Sequence, residues 1–254
     1  DSVPMVVICG QVPMAAIGTD AFQEAPVSAI MGAVAKHVFL VTDPDQLEDT
    51  MRSAFELART GRPGPVVVDI PKDIQNWEGD FKGHGSLPLH GYRRRLAKVE
   101  DNVLSDGACE RFFTMLSESE RPLIYAGGGV INANATKAMR RLANEYGIPV
   151  TTTLMALGAS DTTHPLAMHM LGMHGIASAN YAVEDCDFLI AVGARFDDRV
   201  AGNPGQFAPY AKNIAHFDVD FAEIGKVKLV NWHHVGMLER DLTDMLAYGR
   251  RINF

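Results

Sequence analysis

Two rhythms of apolar and polar positions run along the chain. Short unbroken apolar runs alternate with longer stretches in which apolar residues recur every three or four positions. The first rhythm predicts strands buried on both faces, and the second predicts amphipathic helices. Val6 to Cys9 reads as a buried strand. Asp43 is placed to cap a helix, with Pro44 in its first turn and Gln46 at the capping-box position. Leu47, Met51 and Phe55 then fall on one face, and Gly61 ends the helix. Val66 to Ile70 is a strand bounded by prolines. From about Asn76 to Asn102 the sequence is rich in Gly, His and Arg and has no period, as expected of a linker.

Beyond Asn102 the alternation is cleaner. A helix starting near Ser105 gathers Ala108, Phe112 and Leu116. Leu123 to Tyr125 is a strand that runs into Gly127, Gly128 and Gly129. The next helix holds Ala135, Met139, Leu142 and Tyr146 in phase and closes at Gly147 and Pro149. Further strands are predicted at Val150 to Leu154, Phe188 to Val192 and Ile214 to Val219, with helices near Ala177 to Glu184 and at Ala222. Alternation of this kind means an α/β fold of parallel-sheet domains with helices on both faces. The chain opens on a strand pattern with no start signal before it, so it is expected to be part of a longer chain.

Composition narrows the function classes. With 47% apolar and 21% charged residues, the 254-residue chain has the balance of a soluble globular protein. No apolar run approaches the roughly 20 residues that span a bilayer, so no membrane partner is expected. Net charge is −8 and the basic residues form no long stripe, which argues against a nucleic-acid partner. The run Arg93, Arg94, Arg95 reads as part of a solvated linker. Cys9, Cys109 and Cys186 lie far apart without metal-ligand spacing; Cys9 and Cys186, in or beside apolar runs, are expected to be buried free thiols, suited to a reducing cytoplasm. His164, His169 and His174 have the wrong spacing for one helix face and no carboxylate partner, so no metal site is expected in this chain.

In open parallel sheets, ligands bind beyond the carboxyl ends of the strands. Four such ends carry suitable residues. Gly127 to Gly129 let backbone N–H groups approach a phosphate, and Thr153 offers a hydroxyl. Arg195, after Gly193, can pair with phosphate in a bidentate manner, and Asp218 can accept from ribose hydroxyls. Spacing alone supports an α/β nucleotide-binding domain and no more. The run from Gly127 to Asn132 misses the usual dinucleotide fingerprint, and Arg195, Asp197, Asp198 and Arg199 also suit a local salt-bridge cluster.

Several strings resemble the acetohydroxyacid synthase (acetolactate synthase) large-subunit family. They are GQVP at 10–13, GTDAFQE at 18–24, GRPGPVVVDIPKD at 61–73, YAGGGV at 125–130, PVTTTLMALG at 149–158, MLGMHG at 170–175 and VGARFDDRV at 192–200. The last two in succession are the most specific. The resemblance implies residues 1–76 as the C-terminal half of a pyrimidine-binding domain and 77–102 as a linker. It implies 103–247 as a Rossmann-like central FAD-binding domain and 248–254 as the start of a linker to a diphosphate-binding domain. Two family features are not found in the sequence: the early glutamate that activates thiamine, and the Gly-Asp-Gly to Asn-Asn segment that holds Mg2+ and diphosphate. This stretch alone is therefore expected to be inactive.

The family decarboxylates pyruvate and ligates the two-carbon unit to a second 2-keto acid, on the route to valine, leucine and isoleucine. Its cofactors are FAD, thiamine diphosphate and Mg2+. Carried over by motif, Phe22 and Gln23 reach a neighbouring subunit's active site and Lys72 lies at the substrate-channel rim. Met173 and Arg199 select and hold the second keto acid. Arg62, Gly127, Gly128, Thr153, Leu154, the stretch from His174 and Gly175 to Gly193, Ala194 and Arg195, and then Asp197 and Asp218, match flavin-binding positions. Met237 and Pro26 stand where the family commonly has acids. The resemblance also implies a homodimer or tetramer, a small regulatory subunit and a cytoplasmic location. Two alternatives stand beside it: another thiamine-dependent carboligase or decarboxylase, and a non-catalytic regulatory module that binds a nucleotide such as ADP or NAD.

Overall fold

The computed structural model describes residues 1–80, 82, 83, 85 and 87–254. The chain forms two compact units, Asp1–Leu96 and Ala97–Phe254.

The first unit contains β1 (Met5–Gln11), α1 (Val27–Met31), β2 (His37–Leu40), α2 (Leu47–Arg59), β3 (Pro65–Pro71) and α3 (Lys72–Gln75). Its strands are parallel, in the order β1-β3-β2. β3 lies in the middle with Val66, Val67 and Val68 fully buried, which is why its sequence is apolar without alternation. β1 is an edge strand and Ile8 is 60% exposed, so the expectation of a buried strand at Val6 to Cys9 is corrected within this unit. Asp43 caps as expected: its carboxylate accepts the Asp45 N–H (2.9 Å) and opens the turn into α2. The buried face of α2 differs from expectation. Leu47 and Met51 pack half-buried, but the face continues through Ala54 and Ala58, and Phe55 is 58% exposed. Small residues let the helix lie close on β3, and the larger ring points outward.

α4 (His90–Glu100) carries the chain from the first unit to the second. No helix was expected here. Leu89 and Tyr92 pack on the first core, and Arg93 makes a two-bond contact with Glu56 (3.1 and 2.9 Å), so the arginine run is solvated as expected but lies on a helix and not in a linker. The three adjacent arginines hid a helical period.

The second unit contains α5 (Asp106–Ser117), β4 (Pro122–Ala126), α6 (Gly129–Asn132), α7 (Thr136–Tyr146), β5 (Val150–Thr152), β6 (Ala167–Met170), α8 (Ala177–Asp185), β7 (Phe188–Val192), α9 (Asp198–Ala201), β8 (Asn213–Asp218), β9 (Trp232–Val235) and α10 (Leu238–Arg251). Six parallel strands run in the order β6-β5-β4-β7-β8-β9. Chain order starts at the centre, runs to one edge, returns, and runs to the other. This is the doubly wound arrangement, with its reversal between β4 and β7. Ile124, Ala126, Phe188, Ile190 and Val192 face a core shared with α5, α7 and α10. Leu123, Tyr125, Leu189 and Ala191 face the opposite core, which α8 covers. The edge strands β6 and β9 were not expected, because histidines interrupt their apolar runs.

Among the described residues no helix is long and apolar enough to cross a membrane, and no three His, Cys, Asp or Glu side chains are grouped to hold a metal ion. The cysteines are free; Cys109 and Cys186 are buried and Cys9 is half-buried. Burial pushes the Cys186 thiol up to about 12.

Candidate functional site

The reversal places the carboxyl ends of β4 and β7 side by side. The loops beyond them touch through main chain: Gly127 N–H donates to Val192 O (2.9 Å) and Gly129 N–H to Gly193 O (3.0 Å). A Cβ on Gly127 would stand 2.2 Å from Gly193 O, so no larger residue fits without moving backbone. Gly193, at φ +58, then turns the chain into Ala194, Arg195 and Phe196. Gly127 and Gly129 thus serve the approach of two loops. Gly128 instead faces the next turn, where Met155 Cβ lies 2.9 Å from the position of an added Cβ.

That turn follows β5. Thr153 N–H donates to Ala126 O (2.9 Å), which seats the Leu154–Ala156 turn against the glycines. Thr153 is buried, and among the described residues no partner reaches its Oγ1. A buried hydroxyl without a partner costs roughly 1–3 kcal/mol, a cost that a hydrogen bond to a ligand at these strand ends would offset. Leu154 presents an exposed apolar side chain beside it. Arg140, unremarked in the sequence, reaches from α7 to Gly158 O and Ala159 O (both 2.7 Å) and pins the far end of the loop.

β8 ends at Asp218. One carboxylate oxygen accepts the Asp220 N–H (2.9 Å), and the other lies 3.5 Å from Nε2 of His216, a fully buried residue that sequence reasoning missed. The strand ends therefore carry Gly127, Gly128, Thr153, Gly193, Arg195 and Asp218, as the alternation led one to expect, and Leu154 and Ala194, named through the resemblance, lie in the same loops.

A second cluster follows β6. Gly172, at φ +94, lies so close to the α9 segment that a Cβ would stand 2.7 Å from Arg199 O. Met173 N–H donates to the same oxygen (2.9 Å), so Met173 and Arg199 are neighbours through the backbone. Asn180 of α8, also missed, holds this loop with both ends of its amide: it accepts Gly172 N–H (2.8 Å) and donates to Gly172 O (3.1 Å). Gly175 is packed against Met170 O, and His174 is exposed. Met173 is 64% exposed. Asp197 caps α9 by accepting Arg199 N–H (3.1 Å). Arg199 lies only 3.9 Å from Asp198, both exposed, a contact worth no more than about 1 kcal/mol. A tight local salt bridge therefore does not account for Arg199.

The remaining candidates lie in the first unit. Phe22 is 89% exposed on a loop closed by Glu24, whose carboxylate accepts Gly18 N–H (2.5 Å) and Ala21 N–H (3.1 Å). These bonds, that from Gly18 foremost, hold the Glu24 pKa below its ordinary value. Gln23 adopts φ +65 in the same loop. Lys72 opens α3 at the carboxyl end of β3, whereas Arg62 precedes β3 at the other end. The carbonyl of Arg62 is bound by Lys36, whose ammonium also donates to Leu57 O and Thr60 O (2.6–2.8 Å).

The profile of the thiamine pyrophosphate enzyme central domain matches residues 109–245, more than half of the chain. The chain belongs to the thiamine pyrophosphate enzymes. Within that family it is similar to the acetolactate synthase large subunit of Corynebacterium glutamicum, at 49% identity over 97% of this chain and 38% of that protein. It is 44% identical to the probable acetolactate synthase large subunit of Methanocaldococcus jannaschii, over 97% of this chain and 41% of that protein. It is 47% identical to the chloroplastic acetolactate synthase of Arabidopsis thaliana, over 90% of this chain and 33% of that one. The chain spans about two fifths or less of the length of these curated relatives.

Proposed function

We propose that the chain is part of an acetolactate synthase large subunit that decarboxylates pyruvate and ligates the two-carbon unit to a second 2-keto acid. The observation that carries this is identity of 44–49% over 97% of the chain to proteins of that name from bacteria and an archaeon. It runs through both compact units and does not rest on the shared central domain alone.

The strand ends of the second unit suit FAD. The orphaned Thr153 hydroxyl, the glycine contacts that bring two loops together, and a carboxylate at the end of β8 form a polar rim for a dinucleotide. Arg195 would pair with phosphate, Asp218 would accept from ribose, and Leu154 would lie against the flavin ring. Gly175, Ala194, Asp197 and His174 complete the flavin-binding reading. Thiamine diphosphate with Mg2+, when bound in the whole enzyme, supplies the decarboxylating and carbon-linking chemistry. Arg199 would grip the carboxylate of the second keto acid, with Met173 beside it to limit the size of its alkyl group. Phe22, Gln23 and Lys72, all exposed here, would meet a neighbouring catalytic subunit and the substrate channel. A homodimer or tetramer, a small regulatory subunit and a cytoplasmic location belong to the same reading, as does the assignment of 1–76 and 103–247 to pyrimidine-binding and flavin domains.

Two experiments test it. The full-length protein containing this chain, assayed with pyruvate, thiamine diphosphate, Mg2+ and FAD, is expected to form acetolactate; carbon dioxide release without ligation would favour a decarboxylase. The chain itself, dialysed against FAD and separately against ADP, is expected to bind FAD saturably and turn yellow. Saturable ADP binding without FAD binding would favour the regulatory module.

A further inference from the structure

We propose that His216 is a positioning residue for the nucleotide end of this cleft, tying the loop after β7 to β8 beside the carboxylate at the strand's end. The inference rests on the reading of these strand ends as a flavin site. His216 projects from β8 into the core and is completely buried. Its Nε2 lies 2.8 Å from Ala194 O and 3.5 Å from the Asp218 carboxylate. A carbonyl oxygen only accepts, so the proton on this edge of the ring belongs to Nε2. Among the described residues no partner reaches Nδ1. Phe196 packs edge-on against the ring, with centroids 5.3 Å apart at 90°.

The geometry has a directional consequence. The C=O and N–H of a trans peptide point opposite ways. Anchoring Ala194 O on His216 therefore turns the Arg195 N–H away from the ring and holds the peptide plane that leads into Arg195. The next residue, Phe196, holds φ +56, a conformation a bulky residue rarely adopts unless its surroundings impose it. On the other side, the Asp218 oxygen that does not bind Asp220 faces the same Nε2. One ring thus anchors the loop that carries the residue read as the phosphate contact and lies beside the residue read as the ribose contact. A residue that merely filled space here would not need a polar ring, because the surrounding core is apolar.

The discriminating variants are His216→Gln and His216→Asn. The Gln amide reaches the position of Nε2 and can still donate to Ala194 O, whereas the Asn amide ends near the position of Nδ1 and falls short. FAD dissociation constants would be measured by flavin fluorescence, with circular dichroism to verify folding. Loss of this buried hydrogen bond is expected to weaken FAD binding about tenfold in the Asn variant and to leave the Gln variant within about threefold of the parent. Equal affinities in the two folded variants, or the reverse order, would overturn the proposal. A readout on the unaltered chain covers the case in which Asn prevents folding: the nitrogen-15 spectrum of His216 should show the Nε2–H tautomer, and an Nδ1–H tautomer would also overturn it. A parent chain that shows this tautomer but binds no FAD would refute the flavin reading and leave the anchoring bond in place.

Discussion

At the scale of single residues, Arg199 and Met173 show how the proposed substrate contact and the backbone meet. Gly172 allows the loop to approach Arg199 O, Met173 N–H bonds it, and the guanidinium stays exposed with, among the described residues, only a distant carboxylate. An exposed arginine without a tight partner contributes little to folding, which leaves its side chain available for a ligand carboxylate. In the full-length enzyme, Arg199→Gln is expected to spare carbon dioxide release from the first pyruvate, which loses its carboxylate. Ligation of the second keto acid should fall roughly tenfold to a hundredfold, the worth of about 1.5–3 kcal/mol for a hydrogen bond to a charged group. Carbon dioxide and acetolactate measured in the same reaction check this. Equal losses in both would assign Arg199 to structure.

At the scale of elements, two helix and strand ends carry predictions. Met237 is the N-cap of α10, with extended backbone and no side-chain cap bond. Met237→Asp would supply an acceptor to the first turn and is expected to stabilise the second unit by about 0.5–2 kcal/mol, read as a higher Tm. The resemblance implies an acid there, so on the proposed flavin reading FAD binding should tighten as well. A raised Tm with unchanged FAD affinity would place Met237 outside the cleft. At the opposite end of the sheet, Asp187 opens β7 and accepts bonds from the Ser119 hydroxyl and from the N–H groups of Glu120 and Arg121 (both 2.9 Å). Burial works to raise its pKa, but these bonds outweigh it and hold the carboxyl below its ordinary value. A carboxyl with a depressed folded pKa contributes stability above its unfolded pKa of about 3.9 and loses it as pH falls through the folded value. Asp187→Asn should therefore lower Tm at pH 7, and the gap to the parent should narrow below about pH 4. A gap that stays constant with pH would show that the charge has no part.

At the scale of the molecule, the two units differ in how far their sheets are covered. The second has six parallel strands with apolar cores on both faces. The first has three strands, and its edge strand β1 exposes Met5 and Ile8. An exposed apolar edge strand is a template for association, whereas a sheet covered on both faces folds on its own. Residues 97–254 expressed alone are expected to unfold in a single cooperative transition followed by circular dichroism. A broad, non-cooperative melt would show that the second unit depends on the first.

Much of this was legible in the sequence. β7 lies where its unbroken apolar run indicates, and α5 begins at Ser105, whose hydroxyl accepts the Ala108 N–H (3.2 Å). Strands buried on both faces and capped helices write themselves locally, because each position meets the same kind of surroundings along the element. The strand-end residues Gly127, Thr153, Arg195 and Asp218 were legible for the same reason: a parallel sheet puts all its carboxyl ends on one side. What the sequence could not show were contacts between separate segments. Phe55 points outward because close helix–sheet packing selects small residues, and α4 is a helix because Leu89 and Tyr92 find a core to cover. Asn180 and His216 are ordinary letters until folding brings Gly172 to one and Ala194 to the other. Their partners lie on different elements, so hydrogen bonds formed only in the tertiary structure decide what these side chains do.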